Sequence, residues 1–399
     1  MIPERPVIER RILAALDANP PRIPVLLGGC GSGRTSLLRR VGHIFGDEGS
    51  QYLDIERAAS TPEGFYASIT RDSPYSVTPH HHAADGQQAT SPFPNTARGA
   101  FDALLAFFRD ARTPDGRTPV FLIDELLEVR TFESFPGLRG IQRELIEVMA
   151  TSSSRFVVST RYTTRAHRLL RDAPGRFEVI HVTPLSPSEV SEALRIHEVG
   201  HDDAERLELG RMIHVLTDGR PVYVQAIALS LRTMDGASSG DPVSALAAEL
   251  SNDAHLSLVC RFCYELRLHR ARGYGALKAI LQVLAEDEPL TLTEVAHRLG
   301  RTPGSTKDYL TWLEDVDLVS AQHKRYSYGD PLLRLWVRLH CRPTPPTDAD
   351  LSREVQEYAV SRLPYMEQAV TSGSRPEQSE EAATHNVGAE KAWSIIEID

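Results

Sequence analysis

The stretch that most constrains this chain is Gly28-Gly29-Cys30-Gly31-Ser32-Gly33-Arg34-Thr35. It follows the apolar run Ile23-Pro24-Val25-Leu26-Leu27 and opens into Ser36-Leu37-Leu38-Arg39-Arg40-Val41. The pattern is strand, glycine loop, helix. Glycines let successive backbone N–H groups turn inward and cradle phosphate oxygens. A helix N-terminus behind the loop adds partial positive charge. The spacing is G-x-x-x-x-G-K-T with one departure: Arg34 stands where lysine is expected. Gly28, Gly31, Ser32, Gly33, Arg34, Thr35 and Ser36 are the candidate phosphate ligands, and the Thr35 hydroxyl is a candidate ligand for Mg²⁺. Taken alone, the stretch also fits a glycine-rich turn before an ordinary helix.

The 399 residues give room for two or three domains, and 41% hydrophobic with 25% charged residues is an ordinary globular composition. No signal-like apolar segment opens the chain, and no stretch reaches the roughly 20 apolar residues that span a bilayer. The expectation is a cytoplasmic protein without membrane contact. A net charge of −10 argues against a surface that coats nucleic acid, though a local basic face would be compatible with it. Cys260 and Cys263 form a lone C-x-x-C in a helix-like context, which reads as buried helix thiols rather than a metal site.

Ahead of the loop, Val7, Ile8, Ile12, Leu13 and Leu16 recur at helical spacing over residues 6–19, stopped by Pro20-Pro21. Behind it, residues 51–55 alternate as a short strand, and Thr61 reads as the N-cap of a helix with Pro62 at its first position. Residues 72–95 are rich in Pro, Ser, Thr and His, lack periodicity, and read as a mobile loop. Adjacent histidines such as His80-His81-His82 make a poor fixed metal site in such a loop.

A strongly apolar helix over 101–109 leads to Thr118-Pro119-Val120-Phe121-Leu122-Ile123-Asp124-Glu125, a buried parallel strand ending in two carboxylates. Such a strand delivers its last residues to the carboxyl edge of the sheet, where α/β proteins bind ligands. There Asp124 can hold Mg²⁺ and Glu125 can orient or deprotonate a water. An acidic N-cap for the next helix is the alternative. After a helix over 138–150, residues 155–161 form another buried strand. Its end, Arg161, is either a cation able to read a terminal phosphate or a solvated strand end. A short strand over 178–182 completes an α/β core spanning 1–185.

From 186 the pattern turns helical: 187–198, 204–216, 221–231, a small-residue linker over 235–241, and 242–269. Helical segments over 275–286, 292–300 and 305–315 then precede strand-like pieces at 318–320 and 326–328, which flank His323-Lys324-Arg325. That order reads as a winged helix-turn-helix. The tail after Arg342 carries one helical piece, 350–363, and a polar acidic stretch that reads as disordered.

The ordered set of signals resembles the AAA+-related STAND ATPases, above all the archaeal-type branch, over residues 1–340. Val158-Ser159-Thr160-Arg161 resembles that class's sensor strand. Thr183-Pro184-Leu185-Ser186 with Glu189 is similar to its lid entry, and Gly219-Arg220-Pro221 to its lid G-x-P. Tyr328-Gly329-Asp330-Pro331 with Leu335-Trp336 resembles the closing segment of its winged helix. The resemblance implies an α/β P-loop NTPase core (1–185), an all-α lid (186–265), a winged helix (266–342) and a helical segment with a tail (343–399). It implies ATP or ADP with Mg²⁺ as cofactors. It also implies that Thr35 and Asp124 serve the metal, Glu125 the water, Arg161 the γ-phosphate and Pro221 the base.

Arg34 departs from the pattern. A guanidinium is larger and flatter than an ammonium, so nucleotide binding should survive better than hydrolysis. Three functions are open at this point: a slow ATPase acting as a nucleotide-gated switch, an ATP-dependent DNA-binding regulator, and a degenerate scaffold. The partners expected are a protein reached through the lid, winged helix or tail, weak or no DNA, and a nucleotide-dependent homo-oligomer. Arg139, Arg143, Arg165 and Arg168 are candidates for an arginine finger, and each reads equally as surface charge.

Overall fold

A computed structural model describes residues 3–58, 60–77, 96–173, 175–234, 240–271 and 273–363. Five strands form one parallel sheet in the spatial order Ser50–Asp54, Val120–Asp124, Arg155–Thr160, Ile23–Leu27, Phe177–His181. The apolar runs at 23–27 and 120–123 are buried at every position, as parallel strands covered on both faces must be.

Side chains alternate between the faces. On one face, Val25, Phe121, Ile123, Phe156 and Val158 meet Phe65, Phe101 and Phe108. Phe121 lies 5.6 Å from Phe156 and 4.9 Å from Phe108, ring centre to ring centre. On the other face, Leu26, Leu122, Val157 and Ile180 meet Leu37, Leu38 and Val41 of the helix Arg34–Gly49, with Ile12 and Leu16 of the first helix. Each of these side chains adds about 1.5–3 kcal/mol by leaving water.

The boundaries shift where local chemistry outweighs periodicity. The first helix ends at Leu16, not 19. Thr61 caps Pro62–Arg71 as expected, accepting from the Gly64 N–H at 3.0 Å. The helix expected from 101 starts at Ala97, because Thr96 caps it. The helix expected from 138 starts at Ile141, after Gly137 and Gly140, which both take positive φ. The 3₁₀ helix Leu126–Ser134, the short polar helix Thr163–Leu170 and the small ladder Ser76–Val77 with Ala111–Arg112 had no sequence counterpart. The ladder trims the expected loop at its start. Residues 78–95, and with them His80-His81-His82, lie outside the described residues.

After the sheet come the helices Pro187–Ile196, Asp203–Thr217 and Pro221–Met234. The single helical region expected over 242–269 is two helices, Pro242–Glu249 and His255–Arg270. Tyr274–Glu286, Leu292–Arg298 and Pro303–Asp315 follow. The last begins earlier than expected because Thr302 caps it with Pro303 in its first turn. The strands Val319–Gln322 and Arg325–Tyr328 pair antiparallel, turning through His323 and Lys324, both at positive φ. A third short strand, Leu290–Thr291, pairs with the second of these. The helices Pro331–His340 and Asp348–Arg362 close the described chain, and the expected disordered stretch lies outside it. Among the described residues no helix is long and apolar enough to cross a membrane.

Candidate active site

The glycine loop leaves the buried strand Ile23–Leu27 and passes into the helix Arg34–Gly49. Gly31 and Gly33 take φ of 72° and 90°, a region open to glycine and strained for other residues. The first-turn N–H groups of the helix have no intrahelical acceptors, so they point out of its end. Beside them the Ser32 hydroxyl and the Arg34 Nε are buried without a hydrogen-bond partner.

The strand Val120–Asp124 brings the two acids to this loop. Asp124 is buried and receives three hydroxyls: Thr35 at 2.7 Å, Tyr52 at 2.8 Å, and Ser159. Thr35 and Asp124, far apart in sequence, therefore form a pair of oxygen donors of the kind that suits a hard divalent cation. Glu125 follows at φ 56° and makes no side-chain cap to the 3₁₀ helix behind it, which removes the N-cap reading.

The Glu125 carboxylate is held between two buried guanidiniums. Arg34 Nη2 donates to it at 2.5 Å, while Arg34 Nη1 donates to the Gly29 carbonyl at 2.8 Å. Arg161 Nε lies 3.0 Å from the same carboxylate oxygen, and the Arg161 backbone N–H donates to the other at 3.1 Å. Arg161 also pairs with Glu56. Burial works against the Arg161 charge, but Glu125, Cys30 and Glu56 hold its pKa above the usual arginine value. Arg161 is thus a buried cation facing the loop, not a solvated strand end.

The start of the helix Pro221–Met234 covers the loop. The Val222 N–H donates to the Gly31 carbonyl at 3.3 Å, and a Cβ on Gly31 would meet Val222 Cγ1 at 2.2 Å. Pro221 is buried at the first position of that helix. Arg220 joins three segments: its guanidinium reaches the Cys30 carbonyl at 3.4 Å, the Gly329 carbonyl at 3.0 Å and Asp330 at 3.2 Å. Asp330 also accepts from Tyr223 at 2.7 Å and caps the helix Pro331–His340. Leu185 donates to the Gly219 carbonyl at 2.8 Å, and Ser186 and Glu189 form a capping box. The four separate sequence signals around 183, 219, 328 and the loop therefore meet in space.

Three of the four finger candidates, Arg143, Arg165 and Arg168, line a surface cleft of about 620 Å³ with Arg130. Arg165 lies over the Tyr162 ring at 5.1 Å, and Arg168 pairs with Asp315 at 2.9 Å. Arg139 is exposed. None of the four has a recorded contact to Arg34, Thr35, Asp124 or Glu125 among the described residues.

Sequence reasoning missed Tyr52, Glu56 and the role of Ser159. Glu56 and Ser159 stand just past or at the carboxyl ends of parallel strands, which is the signal that could have found them, whereas Tyr52 lies mid-strand and reaches Asp124 of the adjoining strand. It also missed Arg5, whose buried guanidinium donates to the Thr183 carbonyl at 2.6 Å and the Thr183 hydroxyl at 2.9 Å.

No family model and no curated protein matches the sequence. Among solved structures, a Walker-type ATPase of Pyrococcus abyssi is similar with a TM-score of 0.59 and 17% identity, covering 84% of this chain and 96% of that one. The RuvB Holliday junction branch migration motor of Thermotoga maritima gives 0.39 at 13% identity over 82% of this chain and 92% of that one. A STAND protein with a tetratricopeptide repeat sensor from Pyrococcus horikoshii gives 0.35 at 14% identity over 92% of this chain and 45% of that one. The last two are too distant to carry an argument. The glycine loop, the parallel sheet and the first of these likenesses agree: this chain has the fold of a Walker-type P-loop ATPase.

Proposed function

We propose that the protein binds ATP with Mg²⁺ in the glycine loop, hydrolyses it slowly, and uses the bound nucleotide as a switch. The observation that carries this reading is the convergence of the loop with Thr35, Asp124, Glu125 and Arg161, four residues from three separate segments. In this reading Gly28, Gly31, Ser32, Gly33, Arg34, Thr35 and Ser36 receive the phosphates, Thr35 and Asp124 hold the cation, and Pro221 packs toward the base. A bound Mg²⁺ would offset phosphate charge and polarise the terminal phosphoryl group.

Glu125 is the group for the water, and its two guanidinium partners govern it. The Glu125 oxygen that faces Arg34 and Arg161 is occupied by them, so it is not free to accept from a water. Anionic phosphate oxygens compete for both arginines by charge-assisted hydrogen bonds. Glu125 is released as they turn to the nucleotide, so the ion pair Arg34–Glu125 belongs to a restrained state. The cover formed by Arg220, Pro221 and Val222 must shift in the same event, which couples the site to residues 186–265 as a lid and 266–342 as a winged helix.

Titration calorimetry with ATP and Mg²⁺, together with phosphate release, tests the reading. Saturable binding and slow release are expected, and Arg34→Lys should keep or raise release, because an ammonium cannot span the Gly29 carbonyl and Glu125 as the guanidinium does. No binding by either protein would overturn the proposal. Release that collapses in Arg34→Lys with nucleotide still bound would mean that the site depends on the guanidinium.

DNA reading by the helix Pro303–Asp315 is disfavoured. Asp315 at its end pairs with Arg168, Asp317 just beyond it accepts from the Thr163 N–H at 2.5 Å, and Thr306 is buried. Its exposed start offers Ser305 and Lys307, which suit phosphates better than base edges. Binding to genomic fragments in a mobility-shift assay should be no tighter than about 10⁻⁶ M at physiological salt. Nanomolar binding to one fragment, lost in Lys307→Glu, would promote the regulator reading. We propose a protein partner, in the cytoplasm, as the receiver of the nucleotide state, with a homo-oligomer as one form of it.

A further inference from the structure

The cleft of about 620 Å³ lies between the 3₁₀ helix Leu126–Ser134, the helix Ile141–Thr151 and the helix Thr163–Leu170. Small-molecule sites run from about 300 to 1,000 Å³. Leu127, Ile146, Leu169 and Ala173 give the cleft an apolar lining, and Arg130, Arg143 and Arg165 bring three cations to it. Among the described residues none of these three side chains has a hydrogen bond or an ion pair with a carboxylate. We propose that the cleft is a binding site for a small organic phosphate, with Arg130 and Arg165 taking the phosphate and the apolar lining taking the organic part. It is a second site, since none of its arginines contacts Arg34, Thr35, Asp124 or Glu125 among the described residues.

Arg165 is the cation most in need of an anion. It is half-buried, and its Nε is shut off from water without a hydrogen-bond partner. Its guanidinium lies 5.1 Å from the centre of the Tyr162 ring, which attracts a cation but leaves the N–H groups without an acceptor. Arginine does not shed its proton in a protein, so the charge stays. Burial and then the charge of Arg130 hold its pKa below the usual arginine value, and Tyr162, Asp315 and Glu128 only partly oppose them. Two cations near each other at a cleft repel unless an anion offsets them. Glu133, Glu147 and Asp172 also line the cleft, yet among the described residues none comes within ion-pair distance of Arg130, Arg143 or Arg165. The fourth arginine, Arg168, is already paired with Asp315.

Phosphate suits this arrangement better than carboxylate. A phosphate monoester carries close to two negative charges at neutral pH and three acceptor oxygens, so it can offset two guanidiniums at once. A carboxylate, with one charge and two oxygens, is filled by one guanidinium. The three acids repel a ligand that is anionic along its whole length. A single phosphate on an apolar body therefore fits, and a polyphosphate or a nucleic-acid backbone does not.

The cleft also adjoins the segments that carry the Glu125 and Arg161 pair. Leu127 stands two residues after Glu125, and Arg165 four residues after Arg161. Between them Tyr162 donates to Glu128 at 2.9 Å. A phosphate held by Arg130 and Arg165 ties these two segments together. Its effect on nucleotide rests on the function proposed above; its binding does not.

Isothermal titration of the full-length protein with phenyl phosphate tests the site. Saturable binding with a dissociation constant of about 10⁻⁴–10⁻³ M is expected for a ligand of this size. Arg130→Gln and Arg165→Gln should each weaken it by about tenfold or more, the loss for a hydrogen bond between charged groups. Arg130 is exposed, so its variant keeps the fold even if Arg165→Gln does not. Arg171→Gln, exposed and outside the cleft, should behave as the parent. Benzoate should bind about tenfold more weakly than phenyl phosphate. No saturable binding, or undiminished binding in Arg130→Gln, would overturn the site, and benzoate binding as tightly would overturn the choice of phosphate. Displacement by ATP with binding intact in Arg130→Gln would put the probe in the glycine loop and likewise overturn the cleft. Phenyl phosphate should shift the affinity for a fluorescent ATP analogue by about fivefold or more in the parent and not in Arg130→Gln. No shift would uphold the site and overturn its coupling to nucleotide. Arg130-dependent binding of phenyl phosphate by a protein that binds no ATP analogue would uphold the cleft and overturn the nucleotide reading instead.

Discussion

Glu125→Gln is expected to bind ATP and to lose turnover by about 10²–10⁴-fold, the range for removing a positioned general base. The amide is close to the carboxylate in shape, so its oxygen can still accept the Arg161 backbone N–H, 3.1 Å away in the parent. What disappears is the charge. Arg34, buried, loses the carboxylate that it donates to, whereas Arg161 keeps Glu56. Breaking one side of a buried pair costs about 3–5 kcal/mol, so the free variant should also melt at a lower temperature. Added ATP should restore much of that loss, because phosphate oxygens give Arg34 a new anion. Single-turnover phosphate release and thermal denaturation with and without nucleotide check both parts. Turnover equal to the parent would remove Glu125 from the water-activating role.

Gly31→Ala is expected to destabilise the protein by about 1–3 kcal/mol through backbone strain at positive φ, before any clash is counted. The clash is specific: the new Cβ would lie 2.2 Å from Val222 Cγ1 and 3.1 Å from Val222 Cβ. The start of the helix Pro221–Met234 must therefore lift from the loop. Val222→Ala in the same chain removes the nearest atom but not the strain, so the double variant should recover part of the loss. A coupling of about 0.5–3 kcal/mol is expected for residues in contact. Urea unfolding of the parent, both single variants and the double variant measures it. Additive effects would mean that the helix start and the loop do not pack together in solution.

Much of the site was legible because it is built from residues at fixed local offsets. A glycine loop between an apolar run and a helix, and a second apolar run ending in Asp124-Glu125, place their polar ends at one sheet edge whatever the rest of the chain does. Strand burial at 23–27 and 120–123 followed from the unbroken apolar runs there, which leave no polar face. The cap at Thr61 was legible for the same local reason. The failures lie where an element is irregular, as at Leu126–Ser134, or short and polar, as at Thr163–Leu170, or where one apolar stretch hides a break, as at 242–269.

The sequence by itself determined that a phosphate-type loop and two strand-end acids would share one edge of a parallel sheet. Only the tertiary structure decided which partners those groups take. That Arg34 turns to Glu125, that Asp124 gathers hydroxyls from Thr35, Tyr52 and Ser159, and that Val222 closes on Gly31 are contacts across tens to hundreds of residues. Periodicity and spacing report only the near neighbours of a residue along the chain. Charge pairing and close packing are settled by whatever the folded backbone brings within a few ångströms, because both fall away steeply with distance once water can enter between the groups.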